Sequence, residues 1–374
     1  MLVRNGFLCV GLIVATGCSD APSAGNTGSG GGGASAGGTA GGQTGGKSSG
    51  GGSGGSLASA GTAGSTSGGS AGAGGTGGAG GSGGLPGMEP ICPPGPFTAS
   101  PLPNQNPSAT SICNGFRFTE GPVWIASQNA VFFSDFEHSS PATNFNGDIV
   151  RFAPGGACST FIPDVGTNGL AISASGQLLA ASHLTQTLTQ FDLATKAPTV
   201  VIDEFMNKKF SSPNDLTLHS NGIIYFTDPA WEVGSRGEQL PRSAYYREPG
   251  GAIHVIEELD RPNGITLSPD EKHLYIALLG PTRVYDLDTD GVPSNGRTFV
   301  SSGSDGMAVD CAGNLYLTDG GVKVFDPTGA PIGTIQTPGG ASNAAFGGPD
   351  RKTLYITGGT QLYSIQLNIP GYPY

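Results

Sequence analysis

The sequence predicts an all-β fold, a six-bladed β-propeller, preceded by a disordered tether rich in glycine and serine. Three observations support this fold class: a repeat that occurs six times after residue 118, dense punctuation by proline and glycine, and no amphipathic helical pattern of useful length. Of the 374 residues, 66 are glycine, and 31 of these fall within residues 21–87. The chain therefore divides into a low-complexity N-terminal part and one domain of ordinary composition.

The first residues have the pattern of a secretory signal. Arg4 precedes an apolar run over residues 7–15, which is too short to span a bilayer. The segment Ala15-Thr16-Gly17-Cys18 resembles a bacterial lipobox, although leucine is usual in place of Ala15. We expect a lipoprotein-type signal peptide over residues 1–17, lipidation of Cys18, and a cell-envelope location with membrane contact only through the lipid anchor. If the lipobox is not used, we expect secretion.

The remaining boundaries follow from composition. Residues 18–87 are predicted to be a disordered linker, because a Gly/Ser/Ala-rich chain cannot bury enough apolar surface to fold. Residues 88–110 form a lead-in segment, and residues 111–374 form the propeller. The net charge over 88–374 is −12, which gives no electrostatic footprint for nucleic acid. We expect a monomer without a nucleic-acid partner.

Four cysteines follow the predicted linker, one in the lead-in segment and three in the propeller. They are Cys92, Cys113, Cys158 and Cys311. In an oxidising compartment they are expected to form one or two disulfides, and three full connectivities stay open. Their spacing does not indicate a zinc site.

The repeat combines a polar oxygen-bearing residue, a small residue, a short apolar strand, a turn and a second apolar strand. Its polar positions, spaced by 48, 46, 49, 42 and 38 residues, are Glu120, Asn168, Asn214, Asn263, Asp305 and Asn343. Further β-rich runs bring each period to four strands, as in a propeller blade, and argue against a β-sandwich. The last copy is one strand short, and we expect the segment 111–118 to supply the missing edge strand.

The six polar side chains are expected to converge on the propeller axis, because the residue before each innermost strand lies at one mouth of the channel. One Glu, one Asp and four Asn offer the hard oxygen ligands that suit Ca²⁺. Asn-Gly and Asp-Gly are also common tight-turn dipeptides, so any single copy has a structural explanation. Turn chemistry does not account for Glu120.

The chain resembles the senescence marker protein/regucalcin/gluconolactonase family in the segments FRFTEGPVW, KKFSSPNDLTLHSNGIIYFTDP, LDRPNGITLSPDEKHLYIA and DGMAVDCAGNLYLTDGGVKVFDPTG. Within the family it is most similar to secreted bacterial gluconolactonases, over roughly residues 111–367. The resemblance implies hydrolysis of a sugar-derived lactone with Ca²⁺ or another divalent cation. It implies metal ligation by Glu120, Asn263 and Asp305, with Asp305 also the general base. Asn214 is implied at the metal as well, in contact with its water or with the substrate.

Other residues are expected at the same mouth. His183 ends the second strand of blade two and is an alternative proton acceptor. The connections after second strands should crowd the site, and the two long ones are residues 136–147 and 229–243. The predicted substrate-binding residues are Asn168, Lys209, Asn214, Trp231 and Arg236.

Two departures from the family pattern concern the substrate side of the pocket. The blade-one loop SSPATNFNG is long, and blade two reads SHLTQTLTQ where an arginine pair usually follows the histidine. Two alternatives to lactone hydrolysis therefore stay open. One is hydrolysis of an aryl ester or phosphotriester at the same site, and the other is a non-catalytic tethered propeller that binds protein or glycan.

Overall fold

The structure, a computed structural model, describes residues 92–138, 144–173 and 175–372. Within these ranges the chain forms six four-stranded antiparallel sheets, each built from one copy of the repeat. Inner strands of successive sheets contact each other, and the sixth contacts the first. The predicted six-bladed propeller is therefore confirmed. The predicted signal peptide, Cys18 and the whole predicted linker, residues 18–87, lie outside the described residues.

Each blade runs from an inner strand at the axis to an outer strand at the rim. Blades one to three contain β2–β5 (Thr119–Ile125, Ala130–Phe136, Gly147–Phe152, Ser159–Ile162), β6–β9 (Thr167–Ile172, Leu178–Ser182, Thr187–Phe191, Pro198–Ile202) and β12–β15 (Leu216–Leu218, Ile224–Asp228, Ser243–Arg247, Ile253–Glu258). Blades four and five contain β16–β19 (Ile265–Leu267, His273–Ala277, Thr282–Leu287, Pro293–Val300) and β20–β23 (Met307–Val309, Leu315–Thr318, Val322–Phe325, Pro331–Ile335). Blade six contains β24–β26 (Asn343–Gly347, Thr353–Gly358, Gln361–Gln366) and, at the rim, β1 (Thr110–Asn114). The connections contain a hairpin, β10–β11 (Glu204–Phe205, Lys208–Lys209), and two 3-10 helices (Ala126–Gln128, Gly234–Arg236). No helix in this part of the chain is long and apolar enough to cross a membrane.

The first strand of the domain closes the ring. Thr110 of β1 pairs with Ser364 of β26 in the sheet of blade six, which joins the two ends of the domain and covers an exposed edge. This confirms the prediction for the segment 111–118, although the strand ends at Asn114. A disulfide from Cys113 in β1 to Cys158 ties this edge to blade one.

The described part of the lead-in segment packs along blade five. Leu102 is buried in the apolar core shared by blades five and six, and the Pro107 carbonyl accepts a hydrogen bond from Gln336 N at 2.8 Å. A second disulfide joins Cys92 to Cys311 in the turn between β20 and β21. The four cysteines thus form two disulfides, Cys92–Cys311 and Cys113–Cys158, which is one of the three connectivities that the sequence left open.

The core lies between the blades. In the described residues, buried apolar side chains form six clusters, one at each interface between neighbouring blades. Large aromatic rings such as Phe132, Tyr225 and Tyr316 are fully buried there. Each contributes about 1.5–3 kcal/mol of hydrophobic stabilisation. The inner strands that carry the polar ring are therefore held on a rigid scaffold.

The glycines that follow the polar ring positions allow the blades to approach each other. Gly121 has a φ of +52°, and a Cβ there would lie 2.1 Å from the carbonyl oxygen of Asn168. A Cβ on Gly306 would lie 2.0 Å from Cγ of Asn343. Glycine is required by this close contact. The Asn-Gly pair at Asn168 and Gly169 lies inside β6, so it is not a hairpin turn.

Candidate active site

A cavity of about 360 Å³ opens at one mouth of the central channel. Five of the six polar ring residues line it, namely Glu120, Asn168, Asn214, Asn263 and Asp305. The prediction for blade six is wrong by one residue: Ser342 N donates to Thr357 O as Asn214 N does to Thr227 O, so Ser342 occupies the ring position. Asn343 is the next residue along the inner strand, and its Nδ2 lies 3.5 Å from Asp215 Oδ2. The structure thus brings five repeat-related positions together at one site, as the spacing predicts.

The backbone of the ring is held by bonds between neighbouring blades. Gly264 N donates to the Asp305 carbonyl at 2.6 Å, and Thr227 Oγ1, at the end of a second strand, donates to the Asn263 carbonyl at 2.8 Å. Equivalent bonds join Gly169 N to Asn214 O, Ser134 Oγ to Asn168 O, and Thr318 Oγ1 to Ser342 O. These bonds fix the ring residues before any ligand binds. The hydroxyl at the end of the second strand is a repeat feature that the sequence analysis missed.

Glu120 and Asp305 form a buried pair of like charges. Glu120 is only 4% exposed, and its burial, together with repulsion from Asp305, raises its pKa well above the usual value. Burial also raises the pKa of Asp305 to about 6. Asp305 Oδ1 accepts a hydrogen bond from Asn263 Nδ2 at 2.7 Å, whereas the described cavity wall contains neither lysine nor arginine. The pair therefore lacks a positive charge at the cavity that would offset its burial.

This donor set fits a hard divalent cation. Two carboxylates, Glu120 and Asp305, and the side-chain amides of three asparagines line one cavity, and Ca²⁺ takes six to eight oxygen ligands. Among the described residues, no group of three or more His, Cys, Asp and Glu side chains comes together to hold a metal. Amide oxygens would therefore have to complete the coordination, and a bound cation would offset the two buried negative charges.

Glu232 is a cavity residue that the sequence analysis missed. It lies next to Trp231, which lines the cavity as predicted. Glu232 Oε2 accepts a hydrogen bond from Ser212 Oγ at 2.6 Å, and burial raises the pKa of Glu232 to about 7. The available signal was its position directly after the tryptophan in the long blade-three loop.

Three predicted site residues lie away from the described wall of the cavity. His183 is buried, its Nε2 lies 3.1 Å from the Phe145 carbonyl, and burial lowers its pKa to about 4. Arg236 donates to the His183 carbonyl at 2.8 Å. Lys209 pairs with Asp203 at 3.4 Å, where both side chains are exposed. The expected placement of these three residues at the cavity is therefore wrong. The side chains of His183 and Arg236 contact backbone carbonyls of neighbouring loops, and that of Lys209 forms a surface ion pair.

The raised pKa values predict how stability depends on pH. Burial raises the pKa of Asp305 to about 6 and those of Asp215 and Glu232 to about 7, so the folded state holds protons that the unfolded state releases near pH 4. This stabilisation is complete below the unfolded pKa and is lost as pH rises through the folded pKa. His183 has the opposite effect, but only below about pH 6.5.

We therefore expect the melting temperature of the metal-free protein to fall by about 5 °C between pH 6 and pH 8. Differential scanning calorimetry in chelator would measure it. The variant Glu232→Gln should show a smaller fall, because it lacks one of the titrating groups. A melting temperature that rises over this interval would contradict the assignment.

Comparison with known proteins places this site in a family. Residues 118–360 match the family described as SMP-30/Gluconolactonase/LRE-like region. The chain is 31% identical over 285 residues to a gluconolactonase of Zymomonas mobilis, covering 66% of this chain and 77% of that protein. A solved gluconolactonase structure from Xanthomonas campestris superposes with a TM-score of 0.63 at 29% identity, covering 74% of this chain and 99% of that one.

A calcium-binding regucalcin structure from Agrobacterium tumefaciens shares the fold. It superposes with a TM-score of 0.58 at 20% identity and covers 72% of this chain and 97% of that one. The family match spans all six inner strands and includes the five ring residues that line the cavity. The chain therefore belongs to the SMP-30/gluconolactonase/LRE-like family.

Proposed function

We propose that this protein hydrolyses a sugar-derived lactone at the mouth cavity, with Ca²⁺ or another divalent cation held by Glu120, Asn214, Asn263 and Asp305. The observation that carries the proposal is the buried pair of Glu120 and Asp305 on a ring of amide oxygens. Family membership and the similarity to gluconolactonases support lactone hydrolysis as the reaction. The metal and the residue roles are inferred from the chemistry of the donor set.

A cation bound at this ring would supply a Lewis acid for the lactone carbonyl. Asp305 is the general base: Asn263 Nδ2 holds its Oδ1, which leaves Oδ2 to accept a proton from the attacking water. The water oxygen bonds to the carbonyl carbon, and the ring C–O bond breaks. The proton then passes from Asp305 to the departing ring oxygen, and the product is a hydroxy acid.

We assign the base to Asp305 and not to His183. The His183 imidazole contacts the Phe145 carbonyl and lies away from the described cavity wall. With a pKa lowered by burial to about 4, it is a weak proton acceptor. His183 and Arg236 instead support the loops around the mouth.

The charge of the cavity predicts which lactones bind. The described wall contains the carboxylates of Glu120, Glu232 and Asp305, together with Asp319, which is paired with Lys323, and His138; neither lysine nor arginine lines it. An uncharged lactone should therefore bind better than a phosphorylated one. We expect kcat/KM for gluconolactone to exceed that for its 6-phosphate by about tenfold or more, measured by pH-stat titration with Ca²⁺. A preference for the phosphorylated lactone would contradict this charge argument. A rate no higher than spontaneous hydrolysis for both would contradict lactone hydrolysis itself and favour tests with aryl esters and phosphotriesters.

We also propose that the domain is held at the cell envelope by a lipid on Cys18. The signal pattern before this residue supports the proposal, as do the two disulfides of the domain, which fit an oxidising compartment. In a bacterial host, Cys18→Ser should move the protein from the membrane fraction to the soluble fraction. Retention of the variant with the membranes would contradict lipid anchoring.

A further inference from the structure

Two residues differ from their repeat-related counterparts directly below the polar ring. In the backbone register of the inner strands, the positions that follow the ring are Gly121, Gly169, Asp215, Gly264, Gly306 and Asn343. Four of them are glycines, and the side chains of Asp215 and Asn343 occupy the space beside two of these. A Cβ on Gly169 of blade two would lie 2.5 Å from Asp215 Oδ1, and a Cβ on Gly306 of blade five would lie 2.0 Å from Cγ of Asn343.

Asp215 lies on the propeller axis. Its side chain starts on blade three and is only 7% exposed. Oδ2 accepts a hydrogen bond from Ile265 N of blade four at 3.3 Å and faces Asn343 Nδ2 of blade six at 3.5 Å, while Oδ1 accepts from Leu216 N at 3.0 Å. A side chain that meets blades two, four and six from blade three must lie at their common centre.

Asp215 is also electrostatically part of the ring. It does not line the mouth cavity but borders a smaller cavity beneath it. Burial, and after it the charges of Asp305 and Asp215, raise the pKa of Glu120. Three carboxylates, those of Glu120, Asp305 and Asp215, therefore lie close enough to repel one another, and a divalent cation at the ring would neutralise the charge of two of them.

We propose that Asp215 is the axial positioning residue of the ring. Its carboxylate holds two groups: the backbone N–H of Ile265, where the strand after Asn263 begins, and the side-chain amide of Asn343. It also places a negative charge beneath the cation without ligating it. Groups that orient metal ligands in this way usually change metal affinity 10- to 100-fold when removed. The inference rests on the proposed function to the extent that the ring binds a divalent cation.

The test is calcium affinity in Asp215→Asn, measured by isothermal titration calorimetry on the full chain. The asparagine has nearly the same size, but it lacks the charge, and its amide nitrogen cannot accept a hydrogen bond from Leu216 N or Ile265 N. We expect the Kd for Ca²⁺ to rise about 10- to 100-fold. The matched control is Asp310→Asn, which alters another buried aspartate that accepts hydrogen bonds from backbone N–H groups, in blade five. The control should lower the melting temperature without changing the Kd.

A double variant separates positioning from a general loss of stability. Asn343→Asp alone removes the hydrogen bond that the Asn343 side chain makes with Glu120 and is measured as a baseline. The double variant, Asp215→Asn with Asn343→Asp, returns a carboxylate to the axis and exchanges donor and acceptor between blades three and six. Its Kd should recover to within about tenfold of the wild type, and this variant decides the question if the single variant does not fold. An unchanged Kd in Asp215→Asn, or no recovery in the double variant, would overturn the role of Asp215. Absence of calcium binding in the wild type would instead contradict the proposed metal site.

Discussion

Replacing Asp305 with alanine is expected to lower kcat/KM for lactone hydrolysis by about 1,000-fold. The substitution removes the proposed general base, a contribution of about 10²- to 10⁴-fold in enzymes of this kind. It also removes one of the two carboxylates of the proposed metal site. Initial rates with the full chain in saturating Ca²⁺, after subtraction of spontaneous hydrolysis, would measure the loss.

The control for this experiment is Asp310→Asn in the same blade. Asp310 is fully buried, whereas Asp305 is partly exposed at the cavity. Asp310 belongs to the turn between β20 and β21, where it accepts hydrogen bonds from the side chains of Asn314 and Tyr316. We expect Asp310→Asn to lower the stability of the fold, while kcat/KM stays close to the wild-type value at temperatures where this variant is folded. If Asp305→Ala kept more than about a tenth of the activity, its role as base would be excluded.

Removal of divalent cations is expected to abolish lactone hydrolysis and to lower the melting temperature by about 5–10 °C, because only the folded state offers the ring of oxygens. Calcium should restore both the activity and the melting temperature.

The variant Glu120→Gln is expected to change the melting temperature in opposite directions with and without calcium, relative to the wild type. In chelator the variant should melt higher than the wild type, because the buried repulsion between Glu120 and Asp305 is relieved. It should also lose the calcium-dependent rise in melting temperature. Full activity in chelator would show that hydrolysis does not depend on a metal.

The blade count and the ring could be predicted because both depend on periodic spacing. Strands that repeat at nearly constant intervals have few ways to pack, and residues in the same register of each repeat share one radius and one height. The prediction failed at Asn343 because the last repeat is one residue out of register with the sequence pattern, and Ser342 takes the ring position. The same reasoning predicted that the N-terminal strand completes blade six, since a short last repeat leaves an unpaired edge. The cavity residues on the inner strands follow from this symmetry.

Residues outside the symmetry could not be placed in this way. His183 and Arg236 lie on connections at the correct end of the blades, but their side chains reach backbone carbonyls of neighbouring loops. Glu232 enters the cavity because of the path of the long blade-three loop, and His138 lines it from the long blade-one loop. Asp215 was hidden by its neighbour Asn214, since its importance depends on Gly169 and Asn343, which are far away in sequence.

The most direct test of the account is the position of a bound divalent cation in crystals of the protein grown with Mn²⁺, located by anomalous scattering. We expect one strong peak at the mouth cavity, with carboxylate or amide oxygens of Glu120, Asn263 and Asp305 about 2.0–2.6 Å from the ion and Asn214 beside it. A cavity without a peak, or an ion bound only elsewhere on the molecule, would contradict the central claim that this ring is the metal site of the reaction.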